Sequence, residues 1–184
     1  MSAIVVVEYD PDWPVAFAAE HARLAATVGQ RAAAIEHIGS TAVPGLAAKP
    51  ILDIAVGLTH MAAVPVVVED LARLGYQRAP DGDFAGRVFC RRVAAAGAVT
   101  HHLSLTPHGG PYWEDQLAFR DALRASRELR ERYGRLKRRL AATHDDPDEY
   151  TRAKTALVRD ALLAAGHTPR SGWAAQTRTA SNSA

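Results

Sequence analysis

The chain has 184 residues, 48% of them apolar and 23% charged, which suits one folded domain and excludes a disordered chain. Lys and Arg number 22 against 20 Asp and Glu, and a balance of +2 gives no argument for nucleic acid or a membrane surface. A single cysteine, Cys90, excludes an internal disulfide framework and any multi-cysteine metal site.

Ile4 to Val7 is a β-branched run, read as a strand or extended arm, and Asp10-Pro11-Asp12-Trp13-Pro14 stops it. Asp12 is placed to cap the helix that follows, with Pro14 tolerated in its first turn. Phe17, His21, Leu24 and Val28 form a stripe at helical spacing, closed by Gly29. Trp13 is expected to pack over this helix. Ala34 to Ile38 reads as a short strand entering Gly39, and Pro50 to Val56 as a second strand. Met61 to Leu74 reads as a helix ended by Gly75. Arg87–Val93 and Thr100–Thr106 read as two strands, joined by an Ala-Gly link into a hairpin. Cys90 is expected to be buried in the first of them.

Further on, Phe119, Leu123, Leu129, Tyr133, Leu136 and Leu140 make a stripe interrupted only by Ser126, with arginines and Glu128 on the other face. Asp145-Asp146-Pro147-Asp148-Glu149 resembles a helix start, and that helix is expected to run to Leu163 and stop at Gly166. Together the two make a C-terminal helical hairpin against the sheet. Strands mixed with helices give an α/β (α+β) class with a central sheet. The domain is drawn over 1–166, and 167–184, rich in Ser, Thr and Ala, is read as a flexible tail. No apolar run approaches ~18 residues, so no membrane span is expected. The N-terminus has no basic segment or cleavage signal, so a cytoplasmic protein is the expectation. The Ala-rich helices tolerate a homodimer without demanding one.

The segment Ile35 to Val56 carries the chemistry. It reads as strand, Gly-Ser turn, short link and strand. Gly39 allows close backbone approach, and Ser40 and Thr41 set hydroxyls beside exposed backbone N–H groups, a turn suited to phosphate. Asp53 follows Ser40 after 12 intervening residues, on the next strand, where a carboxylate can hold Mg²⁺ against the same phosphate. Lys49 precedes that strand and is a candidate to neutralise phosphate. On the hairpin, Arg87 and Arg91 share a face and are candidate anion contacts. His101 and His102 point to opposite faces, so only one can stand beside Asp53, and His102 is favoured. Residues 116–160 hold 12 Lys and Arg against 8 Asp and Glu, either a solvated helix face or a cationic wall toward an anionic substrate.

These residues resemble the nucleotidyltransferase superfamily pattern, a Gly-Ser followed by Asp-hydrophobic-Asp-hydrophobic on a strand. More closely, the block Gly39-Ser40-Thr41-x-Val43-Pro44-Gly45-Leu46-x-x-Lys49-Pro50-x-x-Asp53-Ile54 is similar to that of the GrpB family (UPF0157). Tyr9 to Pro14, Thr100 to Leu103, Phe119-Arg120-Asp121, Leu123-Arg124, Tyr133, Leu136-Lys137, Tyr150 and Lys154 extend the likeness over about residues 3–165. The resemblance implies a nucleotidyltransferase-like fold, a small mixed sheet with flanking helices. It implies phosphate binding at the Gly-Ser turn, with Mg²⁺ on carboxylates aligning the α-phosphate. It also brings Lys137 and Lys154 forward as contacts to an anionic ligand.

Two departures stand out. Ala55 occupies the place of the second Asp, and Ser104 stands where the family's strand often reads His-Leu-His. Glu36, Glu114 and Asp121 are the candidate acids to complete the site from elsewhere. The reading is an enzyme that uses Mg²⁺ and ATP or another nucleoside triphosphate to transfer a nucleotidyl group to, or activate, a small molecule. Asp53 would take the metal, and His102 would act as base or ligand. The alternative is a non-catalytic protein binding a nucleotide or CoA-like anion with a degenerate metal site. Nucleic acid is the least favoured partner, because basic and aromatic residues are not interleaved.

Overall fold

The computed structural model describes residues 4–172. Helix α1 (Trp13–Val28) leads through a 3₁₀ turn into strand β1 (Ala32–Ile38). A link with its own 3₁₀ turn, Ser40–Ala42, connects to β2 (Leu52–Leu58). Then come α2 (Val64–Ala72), β3 (Tyr76–Arg78), β4 (Val88–Val93) and β5 (Val99–Pro107). Four helices finish the fold: α3 (Pro111–Ala125), α4 (Arg127–Ala141), α5 (Pro147–Arg152) and α6 (Thr155–Ala164). The five strands form one sheet in the order β1-β2-β5-β4-β3. Only β2 and β5 pair in parallel; the β4–β5 hairpin is antiparallel, as its link implies.

The period-2 alternation splits the central strands between two environments. Ile54, Val56, Leu58, Leu103, Leu105 and Cys90 turn to one face and bury against Leu24 and Val28 of α1 and Val67 and Leu71 of α2. Asp53, Ala55, His102 and Ser104 turn to the other, where α3 crosses. A second core joins Val43 and Leu46 of the β1–β2 link to Phe119, Leu123, Tyr133, Leu157 and Leu162. Full burial of each such side chain is worth roughly 1.5–3 kcal/mol, so this core ties α3, α4 and α6 to the link.

Several expectations change. The stripe from Phe119 to Leu140 is two helices, not one. Ser126 sits in an extended conformation, and its hydroxyl caps α4 by accepting from Leu129 N at 3.1 Å. The residue that interrupted the apolar stripe is therefore the start of a new helix. The expected final helix is likewise split into α5 and α6, so the C-terminal hairpin becomes a group of four helices. Met61–Ala63 is a 3₁₀ turn, and α2 begins at Val64. Asp12 makes no side-chain cap; Asp10 accepts from the Asp12 N–H instead. Of the N-terminal run, Val7 alone pairs, in a bridge to Ala48. The short strand β3 carries no sequence signal beyond Tyr76 and is an addition.

The boundary at 166 also moves. Asp115 is fully buried, and its carboxylate accepts from His167 Nε2 at 2.6 Å and from the backbone N–H groups of Arg170 and Ser171. Residues 167–171 are thus fastened to α3. The rest of the expected tail, 173–184, lies outside the described residues.

Candidate functional site

β1 ends at Ile38, which pairs with Asp53 of β2. Gly39 then takes φ +69°, a conformation that favours glycine. A Cβ there would collide with the Asp53 carboxylate, so residue 39 must be glycine for Asp53 to fold over the turn. On the neighbouring strand His102 stands in register with Asp53, and its Nδ1 lies 3.0 Å from Asp53 Oδ1. Both side chains are about one-third exposed, 33% for Asp53 and 35% for His102. They line a cavity of about 530 Å³ between the sheet and the helices.

Gly39, Ser40, Lys49, Arg87, Arg91, Lys137 and Lys154 line the same cavity, so most of the sequence-derived candidates converge. The lysines come from three elements. Lys49 Nζ and Lys154 Nζ approach the Tyr150 ring, 4.4 and 4.0 Å from its centroid. Lys137 Nζ lies 4.9 Å from the Tyr133 ring and donates to the Ala47 carbonyl. Among the described residues none of the three forms an ion pair with a carboxylate. Burial pushes the amines of Lys137 and Lys154 down to about 7, the attraction of Asp53 only partly opposing it, and lowers Lys49 as well.

Arg87 and Arg91 share the site face, as alternation requires. The Arg87 Nε donates to Ser104 Oγ at 3.0 Å, and Ser104 Oγ in turn meets Tyr112 Oη at 3.1 Å. The Arg87 guanidinium faces the Phe89, Phe84 and Tyr112 rings at 4.3, 5.1 and 5.2 Å.

Thr41 departs from the expected cradle. Its side chain is buried, its hydroxyl lying 3.0 Å from His37 Nε2 and donating to the Ile51 carbonyl, so it braces the turn from inside. His37 stacks on Phe17 and is part of the same brace; burial lowers its imidazole to about 4. Glu36 and Asp121 pair with Arg120 outside the cavity, and Glu114 does not line it. The acids that do are Asp53, Asp81 and Asp146. Sequence reasoning gave no role to Tyr112, Tyr133, Tyr150, Phe89 or Asp81. Tyr133 and Tyr150 were visible only as apolar-stripe and likeness positions, and Tyr112 and Asp81 carried no signal. His101, assigned to the opposite face, is found there beside Arg92.

Ala55 is fully buried in a cluster with Ile38 and Trp113, so no donor replaces the missing second carboxylate. Among the described residues no three His, Cys, Asp or Glu side chains gather as a metal site. The donor set does not fit a pair of metals built by the protein. It fits a Mg²⁺ that travels with a triphosphate, because such ions take one or two carboxylates and complete their shell with phosphate oxygens and water.

The family described as GrpB protein matches residues 3–163. The UPF0157 protein BH1888 of Halalkalibacterium halodurans is 37% identical over 172 residues, covering 91% of this chain and 85% of that protein. The crystal structure of the conserved protein GrpB from Enterococcus faecalis superposes with a TM-score of 0.79 at 32% identity, over 88% of this chain and 96% of that one. Terminal uridylyl transferase 4 from Trypanosoma brucei, solved with bound dUTP, shares the fold with a TM-score of 0.55 at 14% identity, over 85% of this chain and 55% of that one. The expected nucleotidyltransferase-like fold, a small mixed sheet with flanking helices, is therefore the fold observed, and no helix among the described residues is long and apolar enough to cross a membrane. With a family match across almost all of the described chain and a relative of the same architecture, this chain belongs to the GrpB family.

Proposed function

We propose that this protein binds a nucleoside triphosphate and transfers its nucleotidyl group to a small-molecule acceptor. The observation that carries the reading is the group of Lys137, buried, and Lys49 and Lys154, half-buried, around one cavity with no carboxylate ion pair among the described residues. Burying unpaired amines is costly, and a polyphosphate supplies the missing charge. Ser40 and the turn that Gly39 opens take the phosphate next to Asp53. A Mg²⁺ carried by the triphosphate would be held by Asp53 and would supply charge neutralisation at the phosphates. His102, donating from Nδ1 to Asp53, is held in one orientation and offers Nε2 as a base or a phosphate contact. The shared fold with a uridylyl transferase supports the reaction class.

The test is a calorimetric titration of the protein with ATP, with and without Mg²⁺. Saturable binding that Lys137→Gln weakens supports the reading; if neither ATP nor another nucleoside triphosphate binds, it fails. Ala55 and Ser104 favour a second reading, in which the cavity binds a nucleotide or CoA-like anion without chemistry. Binding without pyrophosphate release across an acceptor panel would select that one.

A further inference from the structure

Arg87 stands apart from the lysines. It precedes β4, whereas Asp53 is on β2, and with β5 between them the two strands lie about 10 Å apart across the sheet. The side chain is fixed by the Ser104 hydroxyl and by three aromatic rings. Yet no carboxylate among the described residues pairs with it, although it is half-buried. Two other half-buried arginines, on the sheet and on α3, are neutralised: Arg92 by Glu20 and Arg120 by Glu36. Rings facing a guanidinium compensate part of its desolvation but no charge. With Nε committed to Ser104, the two terminal nitrogens remain as a planar fork, a geometry that matches carboxylate or phosphate in two parallel hydrogen bonds.

The sheet face next to Arg87 decides between these anions. An acceptor hydroxyl would have to lose a proton during attack on phosphorus. On the sheet face the two positions where a further carboxylate would assist that loss are Ala55, whose methyl is buried against Trp113, and Ser104, whose oxygen is engaged by Arg87 and Tyr112; Asp81 and Asp146 reach the cavity from outside the sheet. A carboxylate acceptor is already ionised at neutral pH and needs no base. The lysines, on the other side of Asp53, already provide for the phosphates.

We propose that the acceptor is a carboxylic acid, held by the terminal nitrogens of Arg87 at the β4 end of the cavity. The inference rests on the nucleotidyl-transfer reading. In the step, one carboxylate oxygen forms a bond to the α-phosphorus of the triphosphate. The bond from that phosphorus to the bridging oxygen of the β-phosphate breaks, and its electron pair leaves with pyrophosphate. The products are a mixed acyl–nucleotidyl anhydride and pyrophosphate, and no proton is removed. His102 then serves as a phosphate contact. The anhydride is an activated acyl group, so a reaction that passes the acyl group to an amine, thiol or alcohol must consume it.

The experiment follows the Arg87 side-chain Nε–H resonance by NMR, assigned with Arg87→Lys, during titration with acetate or benzoate at constant ionic strength, with chloride as control. Saturable shifts in the millimolar range with either carboxylate, and not with chloride, are expected. Ser104→Ala should weaken acetate binding about tenfold by releasing the guanidinium. Calorimetry with ATP on folded Arg87→Lys and Arg87→Gln protein should give affinities within about twofold of the parent, against a loss of about tenfold or more for Lys137→Gln. If acetate moves the resonance no more than chloride does, or if the Arg87 variants lose ATP as Lys137→Gln does, the carboxylate subsite is overturned. If acetate binds as expected and no triphosphate binds, the subsite stands and the transfer step falls with the nucleotide reading.

Discussion

The Asp53 carboxylate occupies the volume that a side chain at Gly39 would fill. The turn and the acid are therefore one device: the left-handed glycine that opens the turn also makes room for the β2 acid folded over it. Gly39→Ala would combine the backbone penalty at φ +69° with displacement of Asp53. A loss of about 1–2 kcal/mol from the backbone alone is expected in denaturant unfolding, and more with the collision. ATP affinity should fall with it.

Lys137 and Lys154 give a pH signature. Their amines are near 7 in the folded protein and ordinary when unfolded, so between about pH 7 and 10 the unfolded chain binds more protons. Stability should rise with pH across that window, by up to about 1.4 kcal/mol per unit for each lysine. Lys137→Met, by removing a buried amine, should flatten the slope without lowering stability at pH 7, as thermal unfolding at several pH values would reveal.

Ligand binding should run the other way. A polyphosphate favours the charged amines, so at pH 8 binding takes up protons. The calorimetric enthalpy should then vary with the ionisation enthalpy of the buffer, and affinity should fall from pH 7 to 9. Lys154→Gln should reduce the number of protons taken up. A buffer-independent enthalpy at pH 8 would contradict the assignment.

Asp53 and His102 are separable. Asp53→Ala is expected to abolish any gain in ATP affinity on adding Mg²⁺, because Asp53 is the carboxylate folded over the Gly39-Ser40 turn and Asp81 and Asp146 reach the cavity from outside the sheet. His102→Gln keeps the acid and should keep the Mg²⁺ effect while weakening phosphate binding by less than about tenfold. Matched titrations of both variants at two Mg²⁺ concentrations check this.

Asp115 should behave as a structural anchor. Asp115→Ala removes one imidazole and two backbone contacts from a buried carboxylate. An expected cost of about 2–3 kcal/mol would appear in unfolding, and limited trypsin digestion should open the bond after Arg170, which the parent protects.

Local chemistry made much of this protein readable from its sequence. The β-branched and apolar runs marked β1, β2, β4 and β5, because alternation over a half-buried sheet is a local pattern. The Gly-Ser turn followed by Asp53 was legible for the same reason, since glycine, hydroxyl and strand-borne acid lie within one short segment. Alternation also put His102 rather than His101 beside Asp53, and Arg87 on the face of Arg91. Helix boundaries were less accessible. Ser126 interrupts a stripe in either case, and whether it bends a helix or caps a new one depends on how Phe119 and Leu129 pack from their two helices into one core.

The tertiary structure decided the rest. Thr41 was equivalent to Ser40 in the sequence, and only the brace with His37 and Ile51 turned it away from the cavity. The three lysines are 88 and 17 residues apart along the chain, so their meeting depends on α4 and α6 docking on the β1–β2 link. The lack of a carboxylate ion pair for each amine, and for Arg87, among the described residues is a property of the assembled surroundings. Sequence determines which charges exist and which face of a strand carries them; packing determines which are left uncompensated, because neutralisation acts through space between segments that chain order keeps apart.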